Sequence, residues 1–274
     1  AVILTLYSGY EYIRDYFNID KGGLKAGDIK KNTEFASSLI AIRDNGSDAL
    51  INGKLADNIL KTVLNYDPNP GLMVKEDFEL VIPLSTKPVC GNYRNWKICG
   101  MGPPSSGGIT VLQILGILNN FDLSKSTSSN TVVWHLFIEA SKLAYTDRGY
   151  YIADEAFVTV PTEELLNTKY LKERSSLINL ENIISLPQKG KFNNYKADYL
   201  GQDSTSEKPS TTHISIIDKY GNGISLTSSI EFMFGSGLMT SGFLLNNQMT
   251  DFSFYNKDKN GNLIANRPEG KKKP

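Results

Sequence analysis

Apolar and polar positions alternate strictly in two short runs close to residue 220, and that alternation predicts an antiparallel hairpin. Thr212, Ile214 and Ile216 share one face of the first strand, while Thr211, His213 and Ser215 share the other. On the returning strand Ile224 and Leu226 alternate with Ser225, Thr227 and Ser229. Apolar side chains must face apolar ones, so Ile216 pairs with Ile224 and Ile214 with Leu226; a slip of one residue would set isoleucines against hydroxyls. That register leaves Asp218 to Asn222 as the loop, where Gly221 and Asn222 supply turn chemistry. It also carries Thr211 directly opposite Ser229, with the two hydroxyls at hydrogen-bonding range.

Elsewhere the period is helical. Asn32 can cap a helix from Thr33 that ends at Asn45 and Gly46, and Ser47 can cap the next, whose apolar stripe is Leu50, Ile51, Leu55, Ile59 and Leu60. Ser105 and Ser106 stand before Gly107 and Gly108 and can cap a helix through Leu118. A glycine-rich helix start can also hold an anion, but no P-loop lysine spacing follows, so capping is the better reading. In the long pattern at 131–148, Trp134, Phe137, Ala140 and Leu143 are spaced as a core face, and His135 reads as a packed histidine. The run PVCGNYRNWKIC reads as a hairpin turning near Arg94 and Asn95, which sets Cys90 and Cys99 at opposite, non-hydrogen-bonded positions. Such a pair suits a cross-strand disulfide in an oxidising compartment, or two small apolar residues in a reduced pair, the plainer of the two. Residues 184–210 lose periodicity, and no internal repeat is evident.

Composition narrows the function classes. A chain of 274 residues with 40% hydrophobic content can form a sizeable core. Twenty-nine basic and 29 acidic residues cancel, which gives no electrostatic case for nucleic acid or an anionic membrane, and the KKK run at 271–273 reads as a solvated tail. The longest apolar run, 109–118, is about half of the roughly 20 residues that span a bilayer, so it reads as a buried helix. The opening AVILTLY lacks the basic region and cleavage site of a signal peptide, and compartment is unreadable: a signal peptide on a longer parent would imply a periplasmic or secreted protein, its lack a cytoplasmic one. Two histidines and two cysteines without HxxxH or CxxC spacing argue against a metal site, and nothing calls for a cofactor.

The polar run GQDSTSEKPS at 201–210 reads as a flexible surface linker, so Thr211 follows a mobile tail. A threonine becomes a good nucleophile when a base sits beside it, and at a newly made N-terminus its own α-amine fills that role. On pattern alone, a Thr-Thr-His run opening a strand is ordinarily just a strand. A serine-histidine-acid hydrolase with His213 as base is a weaker reading, since no GxSxG elbow is present.

Several blocks taken together resemble the γ-glutamyltransferase family of N-terminal-nucleophile hydrolases. TTHISIID at 211–218 with GNGISLTSSIE at 221–231 is similar to its nucleophile hairpin, and FGSGLM with GFLLNNQMTDFS to its substrate-side segment. CGMGPPSSGGITVLQIL resembles its Pro-Pro-Ser-Ser-Gly-Gly helix start, and HLFIEASKLAYTDRGYYIADEAF and KNTEFASSLIAIRDNGSDALINGKLADNIL resemble its helices.

The resemblance implies an α+β fold, the αββα sandwich of N-terminal-nucleophile hydrolases, incomplete here at both ends. It implies a division at the processing point: 1–210 as the end of a large, mainly helical subunit and 211–274 as the start of a small one. Thr211 would attack the carbonyl of Ser210, split the chain, and then take the acyl group of a γ-glutamyl amide such as glutathione and pass it to water or an amine. Ser229 stands where the family has a threonine that hydrogen-bonds the nucleophile. Gln248 and Asp251 match residues that hold the substrate's α-amino group. Glu231 replaces an asparagine of well-studied members; with Asp251 it would give the pocket two carboxylates, favouring a cation or one protonated group. Acylase-type relatives resemble the Glu version, so a donor other than glutathione is the alternative, and a catalytically inactive remnant is another. The opening AVILTLYSGYEYIRDYF resembles a mid-subunit helix, which leaves an earlier arginine outside the chain, and the end at NRPEGKKKP leaves out a Ser-Ser pair and the Gly-Gly oxyanion hole. Loss of one oxyanion donor costs about 3 to 4 kcal/mol of transition-state stabilisation, so this chain by itself is expected to be severely impaired unless a complementing chain supplies the absent segments. The other partners that the resemblance implies are the two cleaved fragments for each other and a γ-glutamyl small molecule.

Overall fold

The computed structural model describes residues 27–67, 69–124, 126–127, 129–192, 195, 200–205 and 211–274. The expectations for Ser210 and for the opening helix fall outside the described residues. In chain order the elements are α1 (Thr33–Asn45), α2 (Asp48–Ile51), α3 (Lys54–Leu64), α4 (Glu76–Glu79), β1 (Val89–Tyr93), β2 (Trp96–Gly100), α5 (Gly107–Leu118), α6 (Thr131–Tyr151), α7 (Thr162–Leu165), α8 (Thr168–Ser175), β3 (Thr212–Ile217), β4 (Gly223–Ser228), β5 (Met239–Thr240) and β6 (Phe243–Leu244), with a 3₁₀ turn at Gln248–Asp251. The mixture is α+β, and the strands of the described residues form three antiparallel pairs, β1–β2, β3–β4 and β5–β6. Two compact units result, 27–84 with 211–248 and 85–205 with 249–274, so each draws on chain from both sides of Thr211.

In the first unit α1 begins where Asn32 Oδ1 accepts the Phe35 N–H at 2.9 Å, and it ends at Gly46 with φ 61°. The next stretch differs from expectation. One helix carrying a continuous stripe breaks into α2 and α3 at Gly53, whose N–H turns back to the Asp48 carbonyl. A Cβ at residue 53 would lie 2.9 Å from the Ala49 carbonyl oxygen, so the tight fold-back needs glycine. The break leaves Leu50 exposed and buries Ala49, Leu55 and Ala56 instead. Ser47 has helical backbone and makes no side-chain cap bond.

The second unit packs α5 against α6 with α8 beside them, around Ile109, Ile114, Ile117, Leu136, Leu143, Leu165 and Leu171. Helix α5 spans the expected residues, but Ser106 Oγ caps nothing: it accepts a hydrogen bond from Arg148 Nε at 2.7 Å. The buried face of α6 is Leu136, Ala140, Leu143, Ala144, Asp147 and Tyr151, while Trp134 and Phe137 are exposed and meet edge to face. Both stripes obey helical spacing; the one with Ala140 and Ala144 allows the closer approach of neighbours. His135 is half-buried and its Nε2 hydrogen-bonds the Asn179 carbonyl at 2.8 Å. The β1–β2 hairpin turns at Arg94 and Asn95 as expected, and Cys90 and Cys99, directly paired, form a disulfide rather than the reduced pair.

Of the terminal lysines, Lys271 and Lys273 are exposed as expected and Lys272 is not. Lys272 is buried, donates to the Ala265 carbonyl at 2.6 Å and lies over the Phe157 ring, and burial pushes its amine below the ordinary lysine range. Neighbouring Lys273 N–H reaches Asp154 Oδ2 at 2.9 Å. In the 201–205 part of the polar run Gly201 is buried and its N–H donates to Leu263 at 2.8 Å.

The helices of this unit are tied together by one buried carboxylate. Asp147, fully buried, accepts from Arg174 Nη2 at 3.1 Å, Gly190 N–H at 2.8 Å, Gln113 Nε2 at 3.2 Å and the Tyr170 hydroxyl. Burial pushes its carboxyl upward, and the Arg174 guanidinium and the hydrogen-bond donors oppose that push. Burial and the Asp147 charge raise the Tyr170 hydroxyl, which keeps it a proton donor. Removing one member of such a pair strands the other charge in apolar surroundings. Asp147→Ala is therefore expected to cost about 3 to 5 kcal/mol, read as a lower urea midpoint, and Tyr170→Phe only about 1 kcal/mol.

Candidate active site

The hairpin β3–β4 has the register that alternation requires: Ile214 pairs with Leu226, Ile216 with Ile224, and Thr212 with Ser228. Its loop is closed by Asp218, whose Oδ1 accepts the Tyr220 and Asn222 N–H groups at 2.8 and 2.9 Å while Asn222 Nδ2 reaches Oδ2. Those bonds, the Asn222 side chain first, hold the Asp218 carboxyl below the usual range.

At the open end of the hairpin Thr211 Oγ1 donates to Ser229 Oγ at 3.1 Å. Ser229 Oγ accepts a second bond, from the Glu231 N–H at 2.8 Å, so one hydroxyl joins three of the sequence-predicted residues. Thr211 has φ 122° and Glu231 φ 69°, both unusual for residues with side chains. Thr211 is exposed and Ser229 half-buried.

Asn247, which sequence reasoning missed, organises the other side. Its Nδ2 donates to Glu231 Oε2 at 2.8 Å, its Oδ1 accepts the Phe232 N–H at 2.9 Å, and its N–H reaches the Ile230 carbonyl at 3.2 Å. Gln248 follows directly, its N–H donating to Asn246 Oδ1 at 3.0 Å. The structure therefore gathers Thr211, Ser229 and Glu231 by direct bonds and sets Gln248 next to the residue that holds Glu231. Asp251 belongs to the second unit, where it is exposed and its carbonyl accepts from Asn266 Nδ2 at 2.7 Å.

The ring nitrogens of His213 are engaged along the same polar face: Nδ1 with Thr227 Oγ1 at 2.8 Å and Nε2 with Ser215 Oγ at 3.0 Å and Ser225 Oγ at 3.3 Å. That arrangement argues against His213 as the base for Thr211. A cavity of about 650 Å³ lies among α1, α2 and α3 and reaches Ser241, and none of the sequence-predicted site residues lines it. Among the described residues no cluster of three His, Cys, Asp or Glu side chains could hold a metal, and no helix is long and apolar enough to cross a membrane.

The chain is similar in structure to the cephalosporin acylase from Bacillus halodurans, with a TM-score of 0.75 and 25% identity over 96% of this chain and 44% of that one. The fold is that of the N-terminal-nucleophile hydrolases of the transpeptidase and acylase kind. The family model described as gamma-glutamyltranspeptidase matches residues 5–274, and the chain belongs to that family. It is 36% identical over 246 residues to the glutathione hydrolase proenzyme of Bacillus subtilis strain 168, covering 87% of this chain and 41% of that protein. It is 37% identical over 234 residues to the glutathione hydrolase proenzyme of Escherichia coli K12, covering 84% and 38%. The chain thus spans about two-fifths of the length of these relatives.

Because Ser229 Oγ accepts two donors, its loss leaves both to find other partners. Ser229→Ala is expected to lower stability by about 1 to 2 kcal/mol in urea titrations, and Ser229→Thr, which keeps the oxygen, to restore most of it.

Proposed function

We propose that Thr211 is the nucleophile of an amide-splitting acyl transferase that first cuts its own chain. The observation that carries this reading is the Thr211 Oγ1 to Ser229 Oγ bond at the head of a hairpin whose register sequence alternation dictates. In the first step Thr211 Oγ adds to the Ser210 carbonyl carbon, and collapse breaks the C–N bond as the proton passes to nitrogen. The resulting ester is hydrolysed by water, leaving a Ser210 carboxylate and Thr211 with a free α-amine and hydroxyl. A β-branched residue at φ 122° stores roughly 1 to 3 kcal/mol of backbone strain, and breaking the bond at its nitrogen releases it.

In the second cycle the α-amine takes the Oγ proton as the oxygen attacks the side-chain carbonyl of a γ-glutamyl amide. The leaving amine departs with a proton, and the ester on Thr211 passes to water or to an acceptor amine. Ser229 accepts the Thr211 hydroxyl and so orients it. Glu231 and Gln248 take the substrate's ammonium, the carboxylate by a charge-assisted bond; the family resemblance adds Asp251 to them. The glutathione hydrolase names of the relatives support a γ-glutamyl donor such as glutathione. The two fragments remain associated, because residues on opposite sides of residue 211 bond each other within each unit, as with Gly201 to Leu263 and Asn32 to Gly242.

A related acylase is the second reading, favoured by the structural likeness to the cephalosporin acylase. A γ-glutamyl anilide and its glutaryl counterpart, which lacks the ammonium, separate the two. The γ-glutamyl reading expects the former to turn over at least tenfold faster, a preference that Glu231→Gln reduces; faster turnover of the glutaryl compound would establish the acylase instead.

Denaturing intact-mass measurement tests the nucleophile. Thr211→Ala is expected to remain a single uncut chain, Thr211→Ser to be cut more slowly than the parent, and the parent to give two pieces meeting at Ser210 and Thr211. Cleavage elsewhere, or cleavage of the alanine variant, would sink the assignment.

A further inference from the structure

The segment between Glu231 and Gln248 is closed at its base by Asn247 and drawn out at its tip into the β5–β6 hairpin. The tip is a two-residue turn, Ser241 and Gly242, with φ 53° and 82°, the left-handed pair that such a turn requires. Three side chains from α1, its cap and α3 hold it. Asn32 Nδ2 donates to the Gly242 carbonyl at 2.8 Å, and Ser38 Oγ reaches the Ser241 carbonyl at 2.7 Å, closer than its other acceptor, the Glu34 carbonyl at 3.1 Å. Asn58 Nδ2 donates to Ser241 Oγ at 2.9 Å. The approach is close: a Cβ on Gly242 would fall 2.2 Å from the Phe35 nitrogen, and the Phe35 and Phe243 rings meet edge-on at 6.5 Å. The same Asn32 caps α1, so the helix start and the turn share one side chain.

From this geometry we infer that Asn32, Ser38 and Asn58 are positioning residues for substrate: by clamping the Ser241–Gly242 turn, helices upstream of Thr211 set the placement of Glu231 and Gln248 downstream of it. The inference rests on the proposed function for its catalytic consequence and on geometry alone for its structural one. Nucleophile activation is local to the β3–β4 hairpin and does not pass through the turn. Releasing the clamp therefore loosens substrate binding and leaves the chemistry of Thr211 in place.

The test uses the full protein, with Ser38→Ala and Asn58→Ala, singly and together, and Ser38→Thr as the variant that restores a hydroxyl. For the double variant the expected result is unchanged cleavage at residue 211, a KM for γ-glutamyl anilide raised about tenfold, a kcat within about twofold of the parent, and recovery of KM when threonine replaces alanine at residue 38. A fall in kcat at unchanged KM, or an unchanged KM, overturns the inference. Amide exchange at residues 236–246, measured in the Thr211→Ala background, separates this failure from that of the enzyme reading. Exchange there should quicken at least tenfold in the double variant whether or not the protein hydrolyses anything, and unchanged protection rejects the clamp itself.

Discussion

Strand register at β3–β4 is the constraint on which the site depends. Side chains repeat every two residues along a strand, so a shift of one would carry Thr211 and Ser229 to the wrong partners and turn the whole hydroxyl face over. The isoleucine and leucine pairs hold that register although each is about half exposed, Ile214 at 46% and Ile224 at 53%. Cross-strand pairing and the Asp218 loop, rather than deep burial, therefore fix the geometry. From Ser229 the order propagates by short bonds, to the Glu231 N–H and then through the Glu231 carboxylate to Asn247.

The second unit achieves order by other means. Its helices converge on a carboxylate that takes Arg174, Tyr170, Gln113 and Gly190 together, a network whose members are each unfavourable in apolar surroundings without the others. Tyr151 extends it with a hydroxyl bond to the Gly190 carbonyl at 2.5 Å. Such a core specifies one packing of α5, α6 and α8, whereas the first unit rests on small polar clamps and a thin apolar layer. Among the described residues, the unit that bears Thr211 is the one with fewer buried side chains.

What could be read from sequence follows the range of each interaction. The β3–β4 register, the caps of α1, and the Cys90–Cys99 pairing are local, and alternation or turn chemistry reveals them. The break at Gly53 was hidden because its stripe obeys helical spacing on both sides. Ser106 was misread because its true partner, Arg148, lies 42 residues away, and Lys272 because a terminal lysine run gives no sign of the Ala265 carbonyl beneath it. The loop DKYGN at 218–222 recurs as DKNGN at 258–262, where Asp258 again accepts the N–H groups two and four residues on, a short local repeat that the sequence does carry. Asn247 and the clamp on Ser241 join residues far apart in the chain, and no periodicity encodes them.

The chemistry of Glu231 follows from its partner. Asn247 supplies a neutral amide donor to Oε2, a partner that places no opposing charge beside the carboxyl group as an arginine would. A ligand ammonium close to that carboxylate gains a charge-assisted bond, while a ligand carboxylate in the same place meets repulsion. Under the proposed function, discrimination of an amino-bearing acyl group from its desamino counterpart draws on the Glu231 charge, and its strength depends on how firmly the segment carrying that charge is held. The turn at Ser241 and Gly242 is held by Asn32 and by the packing of α1 against β6, so under the proposed function donor selectivity and that packing become parts of one problem.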